Sequence, residues 1–184
     1  MVISFYPASA GFLCLSLTKK MKNYIIPILF VANFYQSQIT NRDKIFTLTK
    51  EEYDNLKTYL ASKNIPVKDT IVIKYDYKND SCWNLLDEQS DSRIKNVLQN
   101  FKKHIKNFND KHPEAIAINF REPGRNFNKL KLWDDSIIID ENLFLKNTIF
   151  KKKKMCGNSA IILNDGSYVL RSSDPHFDLL DAIK

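Results

Sequence analysis

Glycine and histidine are scarce in this chain of 184 residues, with four of the former and three of the latter. No glycine-rich loop that would cradle a phosphate is present. So few histidines pick out no Ser/His/Asp set for nucleophilic catalysis. Cysteine is limited to Cys14, Cys82 and Cys156, without the short spacing that marks a zinc site. No apolar run reaches the roughly 20 residues a membrane span needs. Internal repeats are absent, and the only low-complexity tract is Lys151 to Lys154. Few glycines and six prolines argue against long disordered regions. Acidic residues are missing before Asp43, so Lys19, Lys20 and Lys22 account for three of the +7 net charge and leave about +4 beyond them. A balance that mild does not make the dense basic stripe of a nucleic-acid binder, and no nucleic-acid partner is expected.

What is present begins with a targeting pattern. Residues 24–35 read YIIPILFVANFY, an apolar run of signal-peptide length. Met21-Lys22-Asn23 stands before it as a basic start, and Gln36-Ser37-Gln38 follows as a polar exit. The expectation is a signal peptide over 21–37, cleaved near Ser37, with 1–20 an upstream extension ahead of the natural start. Localisation is then periplasmic or secreted. A membrane anchor would require residues 1–35 to stay attached, and Thr18-Lys19-Lys20 interrupts any single span. Cys14 has no lipoprotein-like surroundings.

Beyond residue 38 the pattern is that of an α/β domain. Thr49 caps a helix running to Ser62, with Glu51 and Glu52 in its first turn and Tyr53, Leu56 and Leu60 at helical spacing. Asn64-Ile65-Pro66 ends it. Ile71 to Tyr75 is β-branched and reads as a strand. Ile94, Val97, Leu98, Phe101, Ile105 and Phe108 then recur every three or four residues, opposite Arg93, Lys95, Lys102, Lys103 and Lys106. This is an amphipathic helix with a solvated basic face, capped by Asp91 or Ser92 and closed by His112-Pro113. Ala115 to Phe120 is a second apolar strand. Strand, helix and strand make a βαβ unit with a parallel pair. After Pro123-Gly124, a short helical piece takes in Phe127, Leu130 and Trp133, and Ile137 to Ile139 forms a short strand. Ser159 to Leu163 and Ser167 to Arg171 flank Asn164-Asp165-Gly166, a hairpin signal suited to a tight primed turn. Asp174-Pro175 opens a last helix with Phe177, Leu180 and Ile183 on its apolar face.

A βαβ unit followed by a ββα unit is the plan of the thioredoxin fold. The C-terminal stretch AIILNDGSYVLRSSDPHFDLLDAIK, from Ala160 to Lys184, resembles the end of periplasmic thioredoxin-like proteins. The resemblance implies a thioredoxin-like three-layer sandwich over 66–184, with an N-terminal helical extension over 38–65. Two departures make it a divergent member. The family's paired cysteines two residues apart are reduced to Cys82-Trp83-Asn84-Leu85, and its cis-proline ahead of the hairpin is replaced by Met155-Cys156-Gly157-Asn158-Ser159.

Signal cleavage would remove Cys14 and leave Cys82 and Cys156, and an even number of cysteines in an exported chain suggests pairing. The resemblance adds that the loops holding Cys82 and Cys156 lie side by side, so these two residues are the expected site. They form a stabilising bridge, or a reversible pair with Cys82 as the attacking thiolate and Cys156 as the resolving one, or stay as two free thiols. Trp83 is expected as a partly buried aromatic. His104, His112 and His176 form no ligand set with the cysteines, so no metal and no cofactor is expected. Arg121, Glu122 and Arg125 follow a strand's C-terminal end, where open sheets bind ligands, but read more simply as solvated loop charges. The partner is an unknown protein or a disulfide substrate.

Overall fold

Thr49 and Glu52 satisfy one another at the start of the first helix. The Thr49 hydroxyl accepts from the Glu52 N–H at 3.1 Å, and the Glu52 carboxylate accepts from the Thr49 N–H at 2.8 Å. This reciprocal cap fixes α1 at Lys50–Ser62. Asn64, in the left-handed region at φ 58°, turns the chain out of it. The computed structural model describes residues 41–78, 80, 82, 88–124 and 136–183, all within one compact unit, Ile39–Lys184. The proposed signal segment, the upstream extension, Trp83, Arg125 and the helical piece around Phe127, Leu130 and Trp133 lie outside the described residues.

Among the described residues six strands form one mixed sheet. In chain order they are β1 (Asp43–Thr47), β2 (Thr70–Asp76), β3 (Ala115–Arg121), β4 (Ile138–Ile139), β5 (Asn158–Leu163) and β6 (Ser167–Ser172). Their order across the sheet is β1-β6-β5-β2-β3-β4. β2 and β3 are parallel, in register from Thr70 opposite Ala115 to Asp76 opposite Arg121. The connection between them contains α2 (Asp91–Lys111), so the expected βαβ unit is present. β5 runs antiparallel to β2 and to β6. The short β4 lies parallel to the end of β3.

Side chains alternate between the two faces of a strand, and the faces of this sheet differ in kind. Ile71, Ile73 and Tyr75 of β2, Ile118 and Phe120 of β3, Ala160 and Ile162 of β5, and Tyr168 and Leu170 of β6 join the main apolar core. Leu56 and Leu60 of α1 close that core, together with Leu145 of α3 (Phe144–Thr148) and the following Ile149 and Phe150. The opposite face carries a row of polar residues. Register places Asn119, Lys74, Ser159, Arg171 and Asp43 side by side across five strands. Arg171 and Asp43 form a two-pronged pair, with Nε to Oδ1 at 2.8 Å and Nη2 to Oδ2 at 2.9 Å.

α2 reaches the sheet through Asn109, whose side chain accepts from the Ala117 N–H at 2.7 Å and donates to the Ala117 carbonyl at 3.3 Å. Of its apolar stripe Ile94 and Phe108 are buried, whereas Val97 is 46% exposed. The basic face is exposed, as its charge requires.

Four local expectations change. The cap of α2 is Ser90, one residue earlier than expected, with its hydroxyl accepting from the Arg93 N–H. The β5–β6 loop holds three residues, and only Gly166 has a positive φ, of 83°. The Gly166 N–H bonds back to the Leu163 carbonyl at 3.0 Å, and the Asp165 carboxylate accepts from the Ser167 N–H at 2.8 Å. A primed turn with two positive φ values is therefore replaced by a longer loop ending in a left-handed glycine. The last helix is a short 3₁₀ turn, Asp178–Ala182. Asp174 does cap it, accepting from the N–H groups of Asp178 and Leu179 at 2.7 and 3.2 Å. Phe177, however, is left-handed at φ 61°, which breaks a helix running from Pro175. Finally, α3 and the edge strand β1 occur where no element was expected.

Candidate functional site

Cys82 and Cys156 are joined by a disulfide across 74 residues of sequence, with their Cα atoms 5.2 Å apart. Cys82 follows the C-terminal end of β2, and Cys156 stands two residues before β5. Both are half-buried, so the bond is neither sealed in the core nor fully in solvent.

Asp80 organises the two loops. Its carboxylate is 1% exposed and accepts three backbone N–H groups. Oδ1 takes those of Cys82 at 3.3 Å and Cys156 at 3.0 Å, and Oδ2 takes that of Gly157 at 2.9 Å. One side chain thus holds the backbone of both cysteines, independently of the bond between them. Asp80 Oδ, Cys82 Sγ and Cys156 Sγ all lie within 4.8 Å of one another.

Beneath this pair lies a buried charged layer. Lys74 Nζ donates to Asp76 Oδ1 at 2.7 Å, and both side chains are at most 1% exposed. Arg121 stands opposite Asp76 in the β2–β3 register. Burial lowers the pKa of its guanidinium, and the negative Asp76 acts in the opposite direction. Gly157 lies against the same layer at φ 73°. A Cβ there would come within 2.6 Å of Asp76 Oδ1, 2.8 Å of Lys74 Nζ and 2.9 Å of the Tyr75 carbonyl. Cys156 is also left-handed, at φ 67°, a conformation that disfavours a residue with a Cβ by roughly 1–2 kcal/mol. These two consecutive left-handed residues stand where the family resemblance would put a cis-proline. Among the described residues no peptide bond is cis.

Aromatic hydroxyls anchor the surroundings. Tyr77 accepts from Asn158 Nδ2 at 2.8 Å, and its own hydroxyl donates toward the Phe150 and Lys152 carbonyls, each 3.0 Å from the Tyr77 oxygen. Tyr59 and Tyr75 donate to the two oxygens of the fully buried Asp140 at 2.8 and 3.0 Å. Burial first, and then the Asp140 charge and hydrogen bond, raise the pKa of both hydroxyls above the ordinary phenol range.

Arg121 and Glu122, expected as solvated loop charges, are buried at 5% and 2% exposure. β3 extends through Arg121, and the Glu122 N–H donates to the Asp76 carbonyl at 2.9 Å. The Glu122 carboxylate accepts from the Lys78 N–H at 3.1 Å and pairs with Lys146. The histidines do not approach the cysteines: His104 faces Asp181 at 3.9 Å and His112 faces Glu114 at 3.4 Å, while His176 is exposed. His104 and His112 instead help line a separate groove of about 260 Å³ between α2 and the C-terminal turn. The group sequence reasoning missed is Asp80, together with the Lys74–Asp76 pair. The alternation of Lys74 and Asp76 within an apolar strand is the one signal that marks the pair.

Comparison with known proteins adds no relative: no family model, no curated protein and no solved structure matches the chain. Among the described residues no helix is long and apolar enough to cross a membrane.

Chemically, the site offers a disulfide between two half-buried cysteines on loops tied together by Asp80, whose carboxylate lies within 4.8 Å of both sulfurs. A thiolate reaching either sulfur can open the bond, and the clamp at Asp80 keeps the released thiol close for return.

Proposed function

We propose that this chain is an exported protein whose sheet domain is thioredoxin-like and carries out thiol–disulfide exchange through Cys82 and Cys156. The observation that carries this reading is the place of the disulfide. It spans the end of β2 and the approach to β5, where the resemblance implies that such a domain does its chemistry. The strand order β3-β2-β5-β6, with one parallel and two antiparallel pairings, supports the same layout. The bond is compatible with export, since disulfides persist in oxidising compartments.

In the exchange step a substrate thiolate attacks one sulfur, the Cys82–Cys156 bond breaks, and a mixed disulfide forms. A second substrate thiolate then displaces the protein sulfur. The substrate leaves as a disulfide, and Cys82 and Cys156 are left as thiols. In the reverse direction Cys82 attacks a substrate disulfide and Cys156 resolves it. The test is catalysed reduction of a fluorescent glutathione disulfide by excess dithiothreitol, with Cys14→Ser as background. Turnover above the uncatalysed rate is expected and is lost in Cys82→Ser. A rate unchanged by that substitution would end the exchange reading.

One observation favours a second reading, a protein-binding domain with a purely structural bridge. The Asp80 carboxylate beside both sulfurs opposes the build-up of thiolate charge. On this reading replacement of both cysteines lowers stability and leaves partner binding intact.

A further inference from the structure

We propose that the reduced form of this site binds a divalent cation of borderline softness, with Zn²⁺ as the probe, through Cys82 Sγ, Cys156 Sγ and the Asp80 carboxylate. The inference needs only the proximity of the three groups and does not depend on exchange activity.

Three arguments carry it. The first is geometry. Two sulfurs and a carboxylate oxygen already lie within 4.8 Å of one another. Tetrahedral zinc, with Zn–S near 2.3 Å and Zn–O near 2.1 Å, places its ligand atoms roughly 3.5–3.8 Å apart. After reduction the two sulfurs, bonded to each other here, move apart by roughly 1.7 Å to that spacing, and the Asp80 oxygen, within 4.8 Å of both, closes by about 1 Å or less. The second is the occupancy of Asp80. Oδ1 already accepts two N–H groups and Oδ2 one. With two lone pairs per oxygen, Oδ2 keeps one for a metal. The three N–H donors then hold the carboxylate as outer-shell partners hold metal ligands elsewhere. The third is charge. Opening the bond brings two potential thiolates beside a buried carboxylate, and a divalent cation removes that repulsion. A water would complete the tetrahedron as the fourth ligand.

The balance is simple. A dithiol reductant gives two electrons and two protons to the Cys82–Cys156 bond, which becomes two thiols, and leaves as its own disulfide. Zn²⁺ binding releases two protons as the thiols become thiolates. Reoxidation by a small-molecule disulfide, which takes the two electrons and leaves as two thiols, re-forms the Cys82–Cys156 bond, removes both sulfur ligands and expels the ion, so oxidation state gates the site.

The test compares reduced and oxidised full chain, in the Cys14→Ser background, by zinc titration against a chromophoric chelator. One Zn²⁺ per reduced chain is expected, bound about 100-fold more tightly than by the oxidised chain, with Asp80→Asn weakening it about ten-fold or more. Co²⁺ should give the sulfur-to-metal charge-transfer band of a two-thiolate tetrahedral site in reduced wild type, a readout that needs no variant to fold. Equal affinity of reduced and oxidised chains, or no charge-transfer band, would overturn the proposal. Undiminished affinity in folded Asp80→Asn would remove Asp80 from the ligand set and overturn the site as stated.

Discussion

Replacing Gly157 by alanine should damage this protein far more than the same change at Gly166, although both glycines are left-handed. The backbone penalty is shared: each holds a positive φ, 73° and 83° respectively, and a Cβ in that region costs about 1–2 kcal/mol. The surroundings differ. At Gly166 the nearest atom to a new Cβ is the Leu48 carbonyl at 3.3 Å, which a small shift relieves. At Gly157 three atoms lie inside 3.0 Å, one of them the Tyr75 carbonyl in the central strand and two belonging to the buried Lys74–Asp76 pair. None is the free end of a solvated side chain. Overpacking of this kind adds about 1–3 kcal/mol, so Gly157→Ala should lose about 2–5 kcal/mol in all. Movement of Gly157 also loosens the N–H that Asp80 Oδ2 accepts. Urea unfolding of the oxidised protein, followed by circular dichroism, measures both variants on one scale. If Gly157→Ala is no more destabilising than Gly166→Ala, the close packing of the Cys156-Gly157 turn against the buried ion pair is wrong.

Three further outcomes follow from the same structure. Replacing Cys82 and Cys156 together by serine frees a loop of 74 residues and should lower stability by about 4 kcal/mol in the chain-entropy account, measured by urea unfolding. Tyr59 and Tyr75 bind their protons more tightly folded than unfolded, so the stability they contribute is complete below their unfolded value near pH 10 and is lost as pH rises beyond it. Unfolding free energy measured from pH 8 to 11 should therefore fall at the alkaline end, less steeply in Tyr75→Phe. Thr49→Ala removes the hydroxyl of the α1 capping box and should cost about 1 kcal/mol by thermal or urea unfolding, with the disulfide unaffected.

Strongly periodic and well-capped elements are legible in the sequence. α1 announced itself through Thr49, Glu52 and the Leu56–Leu60 spacing, and β2 and β3 through near-continuous apolar runs. β1 was not legible because it is an edge strand: Ile45 is 65% and Phe46 41% exposed, so no alternation of buried and polar positions marks it. α3 spans five residues and starts from a left-handed Leu143, without a side-chain cap. The two cysteines stood out by their even number, and the structure joins them. Asp80 was illegible in principle. It is one of 21 acidic residues, and its importance depends on N–H groups 76 and 77 residues further along the chain. Arg121 and Glu122 were misjudged because charges after a strand usually meet solvent, whereas here the charged layer under the disulfide and the Lys146 ion pair bury them.

The reduction potential of Cys82–Cys156 tests the exchange reading most directly. It is measured by equilibrating the protein in glutathione buffers and counting free thiols by mass after alkylation. Working exchange pairs lie at roughly −270 to −120 mV, and structural bridges below about −300 mV. A value in the first range, with the bond opening and closing reversibly, is what thiol–disulfide exchange at this site predicts. A value below the second would contradict it, leaving the bridge a staple between two loops and the domain a binding module.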